Sequence, residues 1–411
     1  MKVLVVLSLY SGFERILESG IWRPAGTPAI AKLIEALDRT CSDLRIFLLA
    51  KRDGQIYAKG RYHLEGLVTQ PTFLRRISVL PGPLARFHWY LNEIAQSWLI
   101  VCAYLRQKPD VVYIDRANVF VGGFLARFTR TPVVFRLLGV HRTLHPVVEG
   151  RRPFHFLTRW AYRSPFAVVI CSQDGSGGEI WLNKLIHLQV PWRILINGVD
   201  DIPEDAAASF DLPVSEDKTI VTFLGRLELE KGCDEFIEAF LDAWRKDRDG
   251  LSALIVGDGS RRDALRQVVS EAGAMQAVNL MGALPQDQVQ SVLVNTDIYV
   301  SLNQMGNLSN ANLEAMKAGC CMVFPASQPE TGADLATDEL LPDDTVLRIP
   351  SAYDTKALSE AILRLRRAPD ERRKRADAIQ QCAAGFLSGW NERISQEIDL
   401  LEDIAARRPV H

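Results

Sequence analysis

The chain contains 411 residues, of which 47% are hydrophobic and 24% are charged. This composition is typical of soluble globular proteins, and the length exceeds one ordinary core, so we expect two domains. The longest apolar run after the first strand, residues 98–105, is far shorter than the ~20 residues that cross a bilayer. We therefore expect no membrane span. The short apolar start, residues 1–9, is interpreted as a buried strand rather than a signal peptide.

Charge divides the chain into two unlike halves. Residues 1–200 hold 26 Lys and Arg against 14 Asp and Glu, a net charge of +12, whereas residues 201–411 hold 22 against 36, a net charge of −14. The basic half predicts attraction to an anionic membrane surface. Nucleic acid is a weaker rival because the basic residues form no dense block. Mutual attraction of the two oppositely charged halves is a third interpretation of this charge difference.

The seven cysteines are scattered, with one adjacent pair at Cys320 and Cys321. Their odd number and the absence of a CxxC pair or a histidine cluster in the sequence indicate reduced thiols and predict no metal site. We therefore expect a cytoplasmic protein, with a peripheral association at the inner face of the cell membrane as a further hypothesis.

The N-terminal half predicts a parallel sheet. Its strands are expected at residues 2–7, 44–49, 111–114, 132–137 and 167–171. Gly26 and Thr27 precede a helix predicted over residues 29–37, where backbone N–H groups are suited to bind phosphate or sugar oxygens.

Two segments between these strands are harder to assign. Residues 51–81 mix basic and apolar side chains, including Arg75 and Arg76, and predict an exposed acceptor or membrane loop. Residues 83–105 are apolar at helical spacing and fit either a membrane-surface helix or a core helix under the sheet. We favour the core helix because few charges mark a polar face.

The C-terminal half opens with the most informative stretch, a buried strand at residues 220–224 that ends in a glycine. Gly225 is expected to allow a sharp turn. Arg226 and Lys231 follow it at the carboxyl end of the strand, where open α/β sheets bind ligands. Two cations at this spacing suit a diphosphate. A solvated turn in which Glu228 and Glu230 form salt bridges is the alternative.

Two further strand ends repeat this pattern at intervals of about 30 residues, as βαβ units require. Residues 253–259 form a strand that ends in a Gly-Asp-Gly turn containing Gly257, followed by a helix at residues 260–272. Residues 297–302 form the next strand, followed by a polar loop and a helix at residues 311–319 that carries Glu314.

Taken together, these motifs resemble the retaining glycosyltransferases of family 4, group 1. The resembling stretches are "ILINGVD" (194–200), "FLGRLELEKGCDEFIEAF" (223–240), "LIVGDG" (254–259) and "NLSNANLEAMKAG" (307–319). The resemblance implies the GT-B fold, an α/β architecture of two Rossmann-like domains facing across a cleft. Residues 1–198 would form the acceptor-binding domain, completed by a C-terminal helix at 386–411. Residues 199–385 would form the nucleotide-sugar-binding domain.

The same resemblance implies roles for individual residues. Arg226 and Lys231 would be catalytic, holding the donor phosphates, and Glu314 would bind the ribose. Further donor contacts are implied at the glycine turns and in the loop before the last helix, namely Gly26, Thr27, Gly225, Gly257, Asn307, Leu308, Ser309 and Asn310.

The chain departs from the family pattern at two positions. The carboxylate that usually contacts the donor hexose falls at Gly306, where Asn303, Gln304 or Asn307 offers a neutral amide instead. A histidine that usually contacts the sugar is replaced by Leu138. Arg136 and His141 lie nearby in the sequence and are weak candidates for acceptor or sugar contacts.

The resemblance implies transfer of a hexose from a nucleotide diphosphate sugar to a glycan or polyprenyl-linked acceptor in cell-surface polysaccharide synthesis, with no nucleic acid partner. No cofactor is expected besides this co-substrate. We also expect metal independence, because the one Asp-x-Asp, Asp247 to Asp249, precedes a strand instead of following one. A sugar-nucleotide isomerase of the same fold and a non-catalytic partner protein are the alternatives.

Overall fold

The computed structural model describes residues 1–10, 12–24, 26–51, 60–61, 64–76, 84–150, 155–215 and 217–407. The predicted loop at 51–81 and the end of the predicted helix at 386–411 therefore lie partly outside the described residues. The chain divides into two compact units. Unit 1 contains Met1–Ser172, Glu179–Leu195 and Trp390–His411, and unit 2 contains Gln173–Gly178 and Ile196–Gly389.

Unit 1 is built on an eight-stranded sheet with the order β3-β4-β2-β1-β5-β6-β7-β8. Only the pairing of β3 with β4 is recorded as antiparallel, whereas β1 pairs in parallel with both β2 and β5. The central strands are buried on both faces, as continuous runs of Val, Leu and Ile predict. The strands are β1 (Lys2–Ser8), β2 (Asp43–Leu49), β3 (Gly60–Arg61), β4 (Thr72–Leu74), β5 (Val111–Asp115), β6 (Val133–Leu137), β7 (Val168–Gln173) and β8 (Trp192–Ile196).

Helices cover both faces of this sheet. The core on one face includes residues of α1, α2 and α15, and the core on the other includes residues of α3, α4, α6 and α7. The helices of this unit are α1 (Glu14–Ser19), α2 (Pro28–Thr40), α3 (Leu84–Gln107), α4 (Val119–Phe128), α5 (His145–Glu149), α6 (His155–Tyr162), α7 (Gly178–Leu185) and α15 (Trp390–Ala406).

The interpretation of residues 83–105 as a core helix holds only for the inward face of α3, which packs in the core under the sheet. Only a narrow stripe that includes Ile100 and Ala103 is buried, whereas the opposite side of the helix exposes large apolar residues such as Ile94 and Trp98. Few charges mark a polar face because the outward face is itself apolar. No helix within the described residues combines the length and apolar character needed to cross a bilayer.

Unit 2 contains a six-stranded parallel sheet with the order β11-β10-β9-β12-β13-β14. The strand order therefore reverses between β9 and β12. The prediction of Rossmann-like parallel sheets in both halves of the chain is confirmed. The strands are β9 (Thr219–Leu224), β10 (Leu251–Val256), β11 (Val278–Gly282), β12 (Ile298–Val300), β13 (Cys321–Pro325) and β14 (Val346–Ile349).

The helices of unit 2 bury two separate cores, one on each face of the sheet. In the first helix after β9, Phe236, Ile237, Phe240 and Trp244 recur at helical spacing and are all buried. This periodicity explains why the segment is helical. The helices are α8 (Cys233–Lys246), α9 (Arg262–Glu271), α10 (Gln286–Val294), α11 (Asn310–Lys317), α12 (Leu335–Leu340), α13 (Thr355–Arg367) and α14 (Pro369–Ala384).

Candidate functional site

The two predicted phosphate-binding cations lie at the carboxyl end of β9, in unit 2. Arg226 follows the strand with a side chain that is 62% exposed, and its Nη2 lies 3.6 Å from the carboxylate of Glu230. Lys231 ends a short 3-10 turn before α8. Because the strand order reverses beside β9, this edge is where an open α/β sheet is expected to bind a ligand.

The glycine required for close packing here is Gly257 rather than Gly225. A Cβ on Gly257 would lie 1.9 Å from the carbonyl oxygen of Gly225, whereas a Cβ on Gly225 would meet only a ring carbon of Phe223 at 4.0 Å. The N–H of Gly225 donates to the carbonyl of Val256 at 3.0 Å. Gly225 itself has a φ of 159°, which L residues rarely adopt, so it favours glycine for its backbone conformation, while the close packing falls on the neighbouring turn.

A half-buried carboxylate that the sequence analysis did not select lies near these cations. Burial raises the pKa of Asp174 to about 6, although hydrogen bonds from Ser176 and the charge of Lys231 oppose the rise. Burial lowers the pKa of Lys231, as does Arg226, while Asp174 and Glu230 oppose that change. Asp174 follows a predicted strand within the stretch Gln173-Asp-Gly-Ser-Gly-Gly178, so the strand-end pattern used elsewhere was the available signal.

The loop after β12 is held by a polar network. Asn307 is fully buried, and its side-chain amide donates to the carboxylate of Asp334 at 2.6 Å and to the carbonyl of Asn303 at 3.2 Å. Its side-chain oxygen accepts a hydrogen bond from Ser301 at 2.7 Å, and its backbone N–H donates to Asp334 at 2.6 Å. These contacts hold the loop, so the structure makes Asn307 a positioning residue with its amide turned inward.

Gly306 is the position where the family usually carries a carboxylate. Its φ is 130°, and a Cβ there would lie 2.3 Å from the carbonyl carbon of Gly175. The residue two positions further on binds the same segment, because Leu308 N–H donates to the carbonyl of Asp174 at 3.2 Å. A side chain at position 306 is therefore excluded by the backbone at 174–175 as it stands.

Glu314 lies one turn into α11, which begins just after Ser309. Burial raises the pKa of its carboxyl to about 7, and the charge of Asp200 acts in the same direction, while a hydrogen bond with Gln286 opposes it. Asn310, at the start of the same helix, accepts a hydrogen bond from Asn197 Nδ2 at 2.7 Å. The motif at 194–200 and the helix motif are thereby brought together.

Gly26 and Thr27 lie in unit 1, at the start of α2. Gly26 has a φ of 86°, and Thr27 is the N-cap residue of the helix without a side-chain capping bond. Thr27 Oγ1 is buried and has no hydrogen-bond partner among the described residues. The helix start therefore offers backbone N–H groups and, in addition to what the sequence predicts, a side-chain hydroxyl.

Arg136 does not reach a ligand surface. It is 1% exposed, its Nη2 donates to Ser172 Oγ at 2.9 Å, and its Nε lies 3.7 Å from the carboxylate of Glu397. The prediction of a sugar or acceptor contact is wrong for this residue, because burial beside α15 gives it a structural role. His141 is exposed, and its Nδ1 accepts a hydrogen bond from the backbone N–H of Thr143 at 3.2 Å.

Residues 205–381 match the family described as glycosyl transferases group 1. The chain is similar to this family over that region. The matched region lies within unit 2 and includes the carboxyl end of β9 and all of α11. Within the described part of the chain, no group of three or more His, Cys, Asp or Glu side chains is arranged to hold a metal ion.

Two curated relatives carry the names of sugar transferases. A 2-deoxystreptamine N-acetyl-D-glucosaminyltransferase of Streptomyces fradiae is 29% identical over 59% of this chain, and the match spans 63% of that relative's length, a little under two thirds. An alpha-D-kanosaminyltransferase of Streptomyces kanamyceticus is 26% identical, covering 74% of this chain and 82% of the relative.

Solved structures share the fold. A sucrose-phosphate synthase of Thermosynechococcus elongatus superposes with a TM-score of 0.73 at 17% identity, covering 99% of this chain and 100% of the other. The Anabaena protein HepE, solved in complex with UDP, superposes with a TM-score of 0.63 at 16% identity, covering 98% and 100%. These neighbours are GT-B glycosyltransferases, so the predicted fold class is confirmed.

Proposed function

We propose that this glycosyltransferase transfers a hexose from a nucleotide diphosphate sugar, with retention of the anomeric configuration and without a metal ion. The observation that carries the proposal is the pair of cations at the carboxyl end of β9. An exposed Arg226 and a Lys231 whose pKa is lowered by burial offer two positive charges at the edge of the sheet. Such charges stabilise the nucleotide diphosphate as it leaves.

The contacts of the free protein suit this role. Arg226 is held only loosely by Glu230, at 3.6 Å on the surface, and exposed pairs of this kind contribute less than about 1 kcal/mol. A diphosphate can therefore displace Glu230 at little cost. The carboxylate of Glu314 would accept hydrogen bonds from the ribose hydroxyls, and the start of α2, with Gly26 and Thr27, would supply N–H groups to the donor.

We propose a uridine diphosphate sugar as the first donor to test, because HepE was solved with UDP and with UDP-glucose. For the acceptor we favour a glycan or polyprenyl-linked sugar used in polysaccharide synthesis. A soluble aminocyclitol is the second candidate, because two curated relatives are named as transferases of 2-deoxystreptamine. The acceptor panel should contain both classes.

We also propose a cytoplasmic protein that contacts anionic membrane peripherally. The net charge of +12 over residues 1–200 supports this assignment, because it attracts the half expected to bind acceptor to anionic lipid.

The direct test incubates the protein with labelled sugar nucleotides and the acceptor panel, in excess chelator and in added Mg²⁺. We expect binding of one nucleotide class to raise the thermal midpoint, transfer that persists in chelator, and a product with the anomeric configuration of the donor. Isomerised donor would indicate the isomerase alternative. Donor binding without transfer to any acceptor or to water would indicate a non-catalytic protein.

A further inference from the structure

Three helices of unit 1 share an outer surface. α4 packs against both α3 and α6, and the three together line a groove of about 480 Å³ whose walls include Trp98, Phe120, Phe124, Leu157 and Trp160. Their inward faces complete the core against the sheet. Their outward faces, together with the groove, are called the apolar helix face below.

This face exposes large apolar side chains that recur at helical spacing. On α3, Phe87, Leu91, Ile94 and Trp98 follow one another at spacings of three and four residues, and all are exposed, Trp98 by 66%. The other two helices add exposed aromatic residues, namely Phe124, Phe128, Phe156 and Trp160. Contiguous apolar surface of this kind is rare on a monomeric soluble protein and marks a site of interaction.

The charges on these helices have one dominant sign. α3, α4 and α6 together carry a single carboxylate, Glu93, and the Nζ of Lys51 lies 2.7 Å from it. The other charged residues of the three helices are arginines. Arg127 stacks on Trp160, with the centre of its guanidinium 4.0 Å from the ring centroid. Arg130 follows two residues after the end of α4, and Arg163 follows directly after α6.

Aromatic and aliphatic side chains with arginines and no unpaired carboxylate fit the interface of an anionic bilayer. Trp and Tyr settle at the headgroup level, apolar residues enter the acyl boundary, and arginines pair with lipid phosphates. A second copy of the chain fits less well. A two-fold contact would place the same patch on itself and would bring like-charged arginines together.

We propose that the apolar helix face inserts into the interface of an anionic membrane and so brings unit 1 to the bilayer. The inference deepens the proposed function and rests on it, because that function includes peripheral contact with anionic membrane. The proposal assigns the membrane contact to these helices instead of the predicted loop that contains Arg75 and Arg76. Both arginines are half-buried, and Arg76 Nη1 donates to the backbone carbonyl of Lys51 at 2.9 Å. The side chain of Arg86, near the start of α3, lies outside the described residues.

The test is co-sedimentation of the full chain with phosphatidylcholine vesicles, with and without about one third phosphatidylglycerol. We expect binding to the anionic vesicles that is weakened but not abolished by high salt, because apolar insertion is not screened. The double variant Ile94→Ser/Trp98→Ser should bind at least ten-fold more weakly. Leu188→Ser is the matched control, since Leu188 is 92% exposed in unit 1 and belongs to none of the three helices, and it should bind like wild type.

Three outcomes would overturn the proposal. The first is no binding of the wild type to anionic vesicles. The second is equal loss in the double variant and the control. The third is a dimer in solution that the double variant converts to monomer, which would make the face a protein interface. Transfer to a soluble acceptor is measured in parallel: if transfer fails while vesicle binding follows the prediction, the proposed function fails and the membrane face stands.

Discussion

Arg226 and Lys231 differ in how each is prepared for an anion. Arg226 is exposed and loosely paired, whereas burial disfavours the charge on Lys231, and the neighbouring Asp174 only partly restores it. A bound diphosphate would supply Lys231 with the countercharge that its surroundings lack. The charged lysine is therefore expected to stabilise the protein with bound diphosphate more than it stabilises the free protein.

Substitution of either cation tests the clamp. Arg226→Ala and Lys231→Ala should each lower kcat by roughly 100-fold or more, because charge on the leaving diphosphate loses preorganised stabilisation. Steady-state transfer and thermal unfolding measure activity and folding separately. Arg266→Ala, at an exposed position on α9, is the control and should retain wild-type rates. Near-normal turnover in both alanine variants would remove the pair from the active site.

The ionised carboxylate of Glu314 should lower the stability of the folded protein but strengthen donor binding. Burial raises its pKa from 4.5 to about 7, so the folded protein holds this proton more tightly than the unfolded chain, and stability falls as pH rises between those values. Glu314→Gln should therefore increase the free energy of unfolding by about 3 kcal/mol at pH 8 and have little effect at pH 4. Denaturant titrations at the two pH values measure this difference.

The same variant should bind donor about ten-fold or more weakly at pH 8, because an ionised acceptor of hydrogen bonds contributes about 1.5–3 kcal/mol. Wild-type affinity should decline as pH falls through 7, and the variant should lose that part of the pH dependence. Glu339→Gln, at an exposed position on α12, controls for the loss of one charge. Unchanged nucleotide affinity in Glu314→Gln would leave Glu314 with a structural role only.

At the scale of elements, the loop after β12 has no room for the carboxylate that the family usually places there. Gly306→Ala should destabilise the protein by about 1–3 kcal/mol more than Gly273→Ala. Both glycines have a positive φ, but a Cβ on Gly273 meets nothing within 4 Å, whereas one on Gly306 meets the backbone at 2.3 Å. Equal unfolding midpoints for the two variants would show that segment 174–175 moves aside.

The C-terminal helix α15 is fixed to the sheet by buried charge. Glu397 accepts a hydrogen bond from Tyr113 and lies 2.9 Å from Arg393 and 3.7 Å from Arg136. Burial opposes ionisation of Glu397, but the two arginines outweigh it and hold its pKa below the usual value. The carboxylate therefore stays charged in the folded protein.

Removing that carboxylate should be costly. Glu397→Ala leaves two arginines buried without a countercharge, so we expect a loss of about 3–5 kcal/mol in the free energy of unfolding. Asp399→Ala, at an exposed position on the same helix, should change it by less than about 0.5 kcal/mol. Chemical denaturation measures both. A small effect in the Glu397 variant would mean that water enters and solvates the arginines.

At the scale of the whole molecule, the sequence predicts secondary-structure elements better than it predicts which side chains are exposed to solvent. The buried strands and the order of the motifs in unit 2 were predictable because apolar runs and glycine turns are local signals. Arg136 and the outward face of α3 were misassigned for one shared reason. Periodicity gives the direction of a helix face or a strand side chain, but not which element covers it. Arg136 is covered by a helix more than 250 residues later in the chain.

The candidate site shows the same limit. Arg226, Lys231 and Glu314 were selected because each follows a strand end in a recognisable motif. Asp174 follows a strand end too, but the sequence analysis did not select it, and its packing against Gly306 depends on residues more than 130 positions apart. The constraint at Gly306 is likewise a property of packing, which no local pattern in the sequence contains.

The discontinuity of unit 1 sets an order for folding during synthesis. Most of this unit is made by Leu195, yet its last helix begins at Trp390, after the continuous part of unit 2. At translation rates of about 5–20 residues per second, roughly 10–40 s separate the two. During that interval Arg136 and the face of the nascent sheet that α15 will cover remain unshielded. Unit 2 is therefore free to fold first, whereas unit 1 can complete its core only after α15 has been synthesised.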